Sequence, residues 1–329
     1  MSGYKNILVT GSAGYLGSIL STKLVDAGYK VTGIDNLLFG ASSISHLRNR
    51  RNFNLKKIDI QNTKEIEKAV KGQDAVIHLA GLVGDAVCSA NPKHAVNINY
   101  LATKDLISAS KESGIKKFLF ASTCSVYGFN EKMLTEKDGV NPISVYGMAK
   151  VLTEQAVINS ANSHFITTAF RMSTLYGFSY RMRFDLVINS FTAQATFGDK
   201  ISLYAGYQWR PFIHVSDTAD AYILALEASP EIINKQIFNL SDSEQNFKIY
   251  KIAEKVKKVI LGSRVSRNEK VHEPRNYRVD GSKIKRFLKF KTNYSVEDGI
   301  LEMHHAIFKN KKFKDYQNLK FTSFIKFND

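Results

Sequence analysis

The length, composition and charge of this chain exclude several classes of protein. Its 329 residues include 44% hydrophobic and 23% charged residues, which are ordinary values for a globular protein with one sizeable core. The sequence has no apolar run near the roughly 18 residues of a membrane span, and its first residues lack the pattern of a secretory signal peptide. We therefore expect a cytoplasmic protein without a membrane partner.

The cysteines and the net charge narrow these expectations further. Cys88 and Cys124 cannot form a disulfide framework, and their spacing does not match a metal site, so we expect no metal. The formal net charge of +16 invites a nucleic-acid hypothesis, but the lysines are scattered along the chain and form no single stripe. A positive field suits a small anionic substrate equally well, and we expect no nucleic-acid partner. The Lys- and Phe-rich tail from Lys309 to Asp329 could cover a partner or the protein's own surface.

The first half of the chain alternates short β-branched strands with helical segments. Residues 75–79 and 117–121 are continuous apolar runs, as expected for parallel strands that are covered on both faces. This alternation predicts an α/β fold with a doubly wound parallel sheet of the Rossmann type. The predicted strands are residues 6–10, 30–34, 53–58, 75–79, 117–121 and 165–171, and the predicted helices are residues 15–27, 63–70, 94–113 and 146–161.

The regular alternation weakens after residue 171. Short strands mix with longer helices there, and no low-complexity linker separates the two halves. We expect residues 1–172 to form a domain built on the Rossmann-type sheet, which is a kind of sheet that binds dinucleotides at its carboxyl edge. We expect residues 173–329 to form a smaller mixed α/β part that mainly binds substrate and is interleaved with the last sheet strands. The elements predicted in this second part are strands 201–204 and 236–240 and helices 217–228, 249–261 and 296–308.

A glycine-rich turn joins the first predicted strand to the first helix. In the segment TGSAGYLG, at residues 10–17, Gly11 and Gly14 let the backbone turn and approach a pyrophosphate, and the helix N-terminus offers free N–H groups to the phosphates. Asp35 ends the second strand, where its carboxylate can accept hydrogen bonds from a ribose diol and would repel a 2′-phosphate. Because no Arg or Lys lies between residues 31 and 47, the pattern favours NAD over NADP.

Residues that follow the third and fourth strands complete the predicted dinucleotide site. Asp59 and Ile60 would lie beside the adenine, and the small residues after His78 leave room for the cofactor. His78 itself is interpreted as a hydrogen-bonded histidine at a strand end. The residues expected to contact the dinucleotide are Gly11, Ala13, Gly14, Tyr15, Leu16, Asp35, Asn36, Asp59, Ile60, Leu79, Ala80 and Gly81.

The candidate chemistry lies in Tyr146 and Lys150, which are four residues apart and therefore share one face of a predicted helix. A free tyrosine has a pKa near ~10 and is a poor base at neutral pH. A nearby lysine, together with the positive charge of an oxidised nicotinamide, would stabilise the phenolate and lower that pKa. The tyrosinate can then take the proton of a substrate hydroxyl. Thr123, at the end of the fifth strand, is the candidate hydroxyl that orients the substrate alcohol.

Taken together, these motifs resemble the extended short-chain dehydrogenase/reductase family, and specifically its NAD-dependent epimerase/dehydratase branch of sugar-nucleotide enzymes. The resemblance covers nearly the whole chain. It implies a catalytic triad of Thr123, Tyr146 and Lys150, of which the last two also contact NAD. It further implies that Asn99 is a structural support near Lys150 and the cofactor, that the substrate is a nucleotide-diphosphate sugar, and that the protein is a homodimer formed through helices 94–113 and 146–161.

The resemblance also implies where basic residues meet the substrate diphosphate. Arg210 matches an arginine of the family that reaches the pyrophosphate, and a bidentate guanidinium suits that contact. Arg275 falls where a second such arginine is expected, with Arg278 as a rival. The predicted substrate site comprises Thr123, Tyr146, Arg181, Arg183, Asn189, Arg210, Arg275 and Arg278.

Departures from the family pattern bear on the reaction. A sugar 4,6-dehydratase of the family has Asp-Glu directly after the catalytic threonine, whereas this chain has Cys124 and Ser125, so dehydration is disfavoured. Cys124 is interpreted as a buried thiol, and Thr174 replaces the usual asparagine before Leu-Tyr-Gly. The leading hypothesis is a 4-epimerase that passes through a transient 4-keto sugar. Net oxidation by a 4-dehydrogenase is the alternative enzyme, and an NAD-sensing regulator is the alternative outside enzymes.

Overall fold

The computed structural model describes residues 4–268 and 274–324. Within these residues the chain forms fourteen strands, which are β1 Asn6–Thr10, β2 Lys30–Asp35, β3 Phe53–Lys57, β4 Ala75–His78, β5 Lys117–Thr123, β6 Phe129–Leu134, β7 Ile166–Met172, β8 Thr174–Tyr176, β9 Ile201–Tyr204, β10 Trp209–His214, β11 Gln236–Leu240, β12 Asn246–Lys248, β13 Val265–Asn268 and β14 Asn276–Val279.

The same described residues form twelve α-helices. These are α1 Tyr15–Asp26, α2 Thr63–Val70, α3 Asp85–Ala90, α4 Pro92–Val96, α5 Ala102–Glu112, α6 Val145–Asn159, α7 Val187–Thr196, α8 Val215–Glu227, α9 Pro230–Ile233, α10 Ile249–Val259, α11 Ser282–Leu288 and α12 Val296–Phe308. None of them is long and apolar enough to cross a membrane.

The main sheet has seven parallel strands in the order β11-β7-β5-β4-β1-β2-β3. All seven residues of β5 are buried, because helices cover both faces of the sheet. On one face α1 packs against α8, and on the other α2 and α6 pack against α5. The order reverses between β1 and β4, so the carboxyl ends of these two strands open a crevice where such sheets bind ligands. The predicted α/β doubly wound fold is confirmed.

The second half of the chain adds three small sheets and a separate apolar core. Their strand orders are β12-β10-β8, β13-β9 and β14-β6. The β14-β6 pair joins residues 276–279 to residues 129–134, which follow β5 in the first half. Conversely, β11 returns to the main sheet and pairs with β7. The two halves are therefore interleaved in the chain, and the cleft between them is shared.

The helical region after β4 differs from the prediction of one helix over residues 94–113. A further helix, α3, precedes it, and the long helical run begins at Pro92. The Asn91 side chain caps this helix by accepting a hydrogen bond from the His94 N–H at 3.0 Å. Proline is favoured at this first position because its missing N–H would have no partner there. Residues 97–101 form a π-helical turn between α4 and α5, and such turns often mark functional sites. This one carries Asn99.

Candidate active site

The glycine-rich turn between β1 and α1 leaves no room for a side chain at its glycines. A Cβ atom at Gly11 would lie 2.9 Å from the backbone nitrogen of Ala80, and one at Gly17 would collide with the Gly11 carbonyl oxygen. Gly11 also has a φ of +69°, a backbone conformation that favours glycine. The turn therefore presents bare backbone N–H groups at the N-terminus of α1, which is the arrangement that binds a pyrophosphate.

Asp35 lies beside this turn at the end of β2, and backbone groups fix its carboxylate. One oxygen accepts a hydrogen bond from the Ala13 N–H at 3.0 Å, and the other accepts one from the Leu37 N–H at 2.8 Å. Burial raises the pKa of Asp35. The same cleft is lined by the predicted residues Tyr15, Leu16, Asn36, Asp59 and Ile60. This end of the cleft fits the adenosine of NAD.

The backbone that follows β4 forms the floor of the other half of the cleft, which Leu79, Ala80 and Gly81 line. A Cβ atom at Gly81 would lie 2.6 Å from Oδ1 of Asn99, so only glycine lets the backbone pass this close. The Asn99 side chain bonds to the backbone of Leu82, the residue that follows Gly81. Its Oδ1 accepts from the Leu82 N–H at 2.8 Å, and its Nδ2 donates to the Leu82 carbonyl oxygen at 2.9 Å. Asn99 thus fixes the loop on which the cofactor would lie.

His78 is a structural residue, as the sequence indicated. Its Nδ1 lies 2.7 Å from the Thr10 hydroxyl oxygen, and its Nε2 lies 2.9 Å from that of Thr103. Burial and the charge of Lys150 lower the pKa of His78 to about 3, so the ring is neutral at pH 7.

Tyr146 lies in the first turn of α6 with a side chain that is 8% exposed. The helix is capped by Ser144, whose hydroxyl oxygen accepts a hydrogen bond from the Gly147 N–H at 3.1 Å. The same hydroxyl donates to the Asp85 carboxylate at 2.5 Å. The Thr123 side chain lies close enough to the phenol to act on its pKa, and the Thr123 hydroxyl oxygen accepts a hydrogen bond from the Ser125 N–H at 3.1 Å. The structure therefore brings Thr123 and Tyr146 together at the carboxyl edge of the sheet.

The phenol of Tyr146 is not acidic in the protein alone. Burial raises its pKa above the ordinary value, and the neighbouring Cys88 and Asp85 raise it further. The nearby Thr123 side chain and the charge of Arg183 lower the pKa, but they only partly offset these effects. The expectation of an acidified phenol is thus not met by the chain without its cofactor, because the water that would solvate a phenolate is excluded.

Lys150 lies one turn further along α6 and is almost fully buried. Its Nζ donates to the Ala121 carbonyl oxygen at 2.8 Å, lies 4.7 Å from the centre of the Phe120 ring and is 6.0 Å from the centre of the Tyr146 ring. Burial lowers the pKa of Lys150 to about 8. The predicted common face of Tyr146 and Lys150 is present. In the chain alone, however, the ammonium is bonded to the backbone of β5.

A buried ion pair beneath these residues joins α6 to β7. Nη2 of Arg171 donates to the Glu154 carboxylate at 2.8 Å, and both side chains are nearly inaccessible to solvent. The Ser122 hydroxyl also donates to Glu154, and Arg171 donates to the phenol oxygen of Tyr127 at 3.0 Å. The network fixes the ends of β5 and β7 against the helix that carries the candidate base.

The two residues after Thr123 offer no second acid or base. The Cys124 thiol is buried and donates to the Arg171 carbonyl oxygen at 3.1 Å, and burial raises its pKa. Cys124 is therefore a buried thiol, as interpreted. The hydroxyl oxygen of Ser125 lies 3.5 Å from that of Tyr277.

The predicted diphosphate arginines separate into two places. Arg210 is buried, and its Nη1 donates to the Arg275 carbonyl oxygen at 2.5 Å, so these two residues are neighbours. The Arg275 guanidinium pairs with Asp85, which also holds the cap of α6. Arg278 instead donates to the Glu131 carbonyl oxygen at 2.8 Å on β6. Of the two rivals, Arg275 is thus the one that reaches the residues next to Tyr146.

Arg181 and Arg183 lie elsewhere, on the wall of the cleft that contains the glycine turn. The charge of Arg181 acts on Asp35, at the adenosine end. Arg183 pairs with Asp185, with Nε and Nη2 donating at 3.1 and 2.6 Å.

The predicted substrate residue Asn189 is fully buried, and its amide is bonded within the protein. Its Nδ2 donates to the Tyr15 phenol oxygen at 3.0 Å and to the Arg183 carbonyl oxygen at 2.9 Å. Its Oδ1 accepts from the Gly177 N–H at 3.1 Å. The phenol of Tyr15 donates to the Gly177 carbonyl oxygen at 2.6 Å, so this group ties α1 to the second half.

Among the residues of this region that sequence reasoning missed are Asp85, Ser144 and Ser323, and the cleft is also lined by the unpredicted Phe39 and Leu82. A serine two residues before Tyr146 is a recognisable capping signal, but the partners of Asp85 lie far away in the chain. Ser323 lines the cleft from the C-terminal tail, and no local pattern announces that position. Across residues 4–268 and 274–324, no three His, Cys, Asp or Glu side chains are grouped to hold a metal ion.

Known proteins share this sequence pattern and fold. A curated UDP-N-acetyl-alpha-D-glucosaminuronate decarboxylase from Bacillus cytotoxicus is 30% identical over 314 residues, which cover 91% of this chain and 96% of that protein. The solved UDP-glucuronic acid 4-epimerase from Bacillus cereus, in complex with UDP-glucuronic acid and NAD, has a TM-score of 0.83 and 27% identity, covering 91% of this chain and 98% of that one.

A second solved relative is the UDP-glucose 4-epimerase of Thermotoga maritima with UDP-glucose. Its TM-score is 0.82 at 26% identity, and the match covers 94% of this chain and 99% of that one. The model of the NAD dependent epimerase/dehydratase family matches residues 7–241, a segment that contains the glycine turn, Asp35, Thr123, Tyr146 and Lys150. NAD is the cofactor of this family, and the glycine turn and Asp35 fit it. The chain is therefore an enzyme of the NAD-dependent epimerase/dehydratase family.

Proposed function

We propose that this enzyme is a nucleotide-sugar 4-epimerase that oxidises the C4 hydroxyl to a transient 4-keto sugar and then reduces it on the opposite face. The observation that carries this proposal is the placement of Tyr146 next to Thr123 and one helical turn from Lys150, whose ammonium bonds to Ala121 on the wall of the NAD cleft. One phenol that can exchange a single proton with a sugar hydroxyl is sufficient for an oxidation and its reversal.

The roles of the residues follow from their contacts. Thr123 would orient the C4 hydroxyl, and Tyr146 would accept its proton and later return it. Bound NAD supplies the acceptor for the C4 hydride and a fixed positive charge. Because burial raises the pKa of Tyr146 in the chain alone, that charge and the ammonium of Lys150 are both needed to stabilise the phenolate. The base is thus expected to be active only when the cofactor is present.

The neighbours of Thr123 favour a reaction at C4 alone over dehydration. Elimination of water from the sugar would need further groups to protonate the leaving hydroxyl and to remove a carbon-bound proton. Cys124 is buried against a backbone carbonyl, and Ser125 has an ordinary hydroxyl. A 4-dehydrogenase uses the same pair of residues as an epimerase, so the stoichiometry of NADH separates these two reactions.

The arginines near Asp85 support a nucleotide-diphosphate sugar as substrate. Arg210 and Arg275 are neighbours, and guanidinium groups suit the charge and shape of a diphosphate. The related proteins are named for UDP-sugars, among them UDP-glucose and UDP-glucuronic acid.

We also expect a homodimer. Leu101, Met148 and Leu152 belong to the two helical segments that the sequence assigned to a dimer interface, and they are 46%, 54% and 40% exposed. Large apolar side chains grouped on a surface are typical of protein–protein contacts.

The proposal is tested by incubating the purified enzyme and an excess of NAD with UDP-, GDP-, dTDP- and CDP-sugars, including UDP-glucuronate. Products are resolved by chromatography while absorbance at 340 nm records NADH. A 4-epimerase interconverts two C4 epimers with NADH below the enzyme concentration. NADH equal to the sugar consumed would establish a dehydrogenase instead, and release of CO₂ from the uronate would establish a decarboxylase.

A further inference from the structure

The C-terminal tail is packed onto the second half of the chain by aromatic rings. We use the name C-terminal strap for residues 311–324. Phe184 makes edge-on contacts with Phe313, Tyr316 and Phe321, at ring-centre distances of 5.8, 5.9 and 5.6 Å. Phe313 and Tyr316 are buried. The Phe184 N–H also donates to the Phe321 carbonyl oxygen at 2.8 Å. The strap thus covers the protein's own surface, one of the two alternatives that the sequence left open.

Beyond this aromatic cluster, the strap bonds to two arginines. Nη2 of Arg181 donates to the Thr322 carbonyl oxygen at 2.6 Å, and Nη2 of Arg183 donates to the Ser323 hydroxyl oxygen at 3.1 Å. Ser323 is itself tied to Asp185, to which its hydroxyl donates at 2.7 Å and its N–H at 3.2 Å. The end of the strap therefore orients both guanidinium groups.

Both guanidinium groups lie on the NAD cleft, not beside Arg210 and Arg275. The carbon at the centre of the Arg181 guanidinium is 3.9 Å from the centre of the Phe39 ring, which follows β2 in the first half of the chain. Arg181 thus reaches across the cleft between the two halves. It is also 8% exposed, and burial and repulsion from Arg183 lower its pKa to about 10. Asp185 is paired with Arg183, and the Arg181 guanidinium donates to a backbone carbonyl oxygen, so an anion in the cleft would stabilise Arg181 further.

From this geometry we infer that Arg181 and Arg183 bind the phosphates of NAD, and that the C-terminal strap positions them there and slows the release of the cofactor. The inference moves both arginines from the predicted substrate site to the cofactor site. It concerns NAD alone and does not depend on which sugar is bound. A slow release suits a reaction that regenerates NAD in every cycle, whereas a net dehydrogenase must release NADH each time.

The test is the rate at which full-length protein loaded with NADH loses it after mixing with a large excess of NAD, followed by NADH fluorescence in a stopped-flow instrument. Arg181→Met removes the charge and keeps most of the unbranched stem of the side chain. Phe321→Ala removes the ring that anchors the end of the strap. Phe324→Ala is the matched control, because that ring is 41% exposed and lies three residues further along. We expect NADH release at least about tenfold faster in the first two variants, which corresponds to about 1.4 kcal/mol, and within twofold of wild type in the third.

A second measurement separates the cofactor role from a substrate role. Binding of UDP, measured by calorimetry on the NAD-loaded protein, should be unchanged in Arg181→Met. The assignment of Arg181 would be overturned if Arg181→Met released NADH at the wild-type rate, or if it lost affinity for UDP without releasing NADH faster. Wild-type release in both Phe321→Ala and Ser323→Ala would overturn the role of the strap. Because none of these measurements follows the sugar, the inference can fail while the proposed epimerisation stands, and the reverse also holds.

Discussion

Replacing Glu154 by glutamine tests how the catalytic helix is held on the sheet. The substitution keeps the shape of the side chain but leaves the Arg171 guanidinium without its carboxylate, at a position where the two side chains are 6% and 3% exposed. Breaking a buried ion pair by removing one partner typically costs about 3–5 kcal/mol, because the remaining charge stays buried. The Ser122 hydroxyl also loses a charged acceptor. We therefore expect Glu154→Gln to lower the free energy of unfolding by about 3–5 kcal/mol.

Urea denaturation followed by circular dichroism measures this loss. The matched control is Glu254→Gln, which breaks an ion pair with Lys251 where both side chains are about half exposed, at 51% and 55%. Exposed pairs contribute about 0–1 kcal/mol, so the control should be close to wild type. If Glu154→Gln lowered the stability no more than Glu254→Gln does, the claim that this pair holds α6 against β7 would be refuted.

Three further predictions concern the cofactor turn, the buried lysine and the dimer. Gly17→Ala forces a Cβ atom into the Gly11 carbonyl, so it should weaken NAD binding, measured by calorimetry, at least about tenfold, or about 1.4 kcal/mol. The control is Gly139→Ala, whose added Cβ atom meets open space, and it should bind NAD as the wild type does. Lys150→Met should stabilise the cofactor-free protein by up to about 3 kcal/mol at pH 7, because folding lowers the pKa of the buried ammonium from 10.5 to about 8. Above pH 8 the folded wild type has lost this proton while the unfolded chain still holds it, so the free energy of unfolding of the wild type should rise with pH. The difference in stability between Lys150→Met and the wild type should therefore narrow toward pH 10.5. A difference that does not change with pH would contradict this reasoning. Leu152→Glu should convert a dimer into a monomer in light scattering, and a wild-type monomer would rule out the proposed interface.

Much of the fold could be predicted from the sequence because its signals are local. Buried parallel strands appear as continuous apolar runs, and β5 is the clearest case, with all seven residues buried. The glycine turn has a backbone conformation and close contacts that only glycine permits. Such signals do not depend on what lies far away in the chain.

The parts that the sequence did not predict depend on distant partners. Asp85 is placed by Arg275, 190 residues later. Ser323 is held at the cleft by Asp185 and by the packing of Phe321 against Phe184, which both lie far away in the chain. The sequence also could not show that burial raises the pKa of Tyr146, since the i, i+4 spacing fixes a shared face but not the direction of the ammonium.

The most direct test of the central claim is the turnover of Tyr146→Phe, compared with Tyr29→Phe, whose phenol bonds to Glu227 far from the cleft. Substrate conversion and NADH binding are measured on the same preparations. If Tyr146 exchanges the proton of the substrate hydroxyl, Tyr146→Phe loses turnover by at least about a thousandfold, within the ~10²–10⁴ typical of a lost acid–base group, while it binds NADH as the wild type does. Turnover of Tyr146→Phe at the rate of Tyr29→Phe would contradict the account.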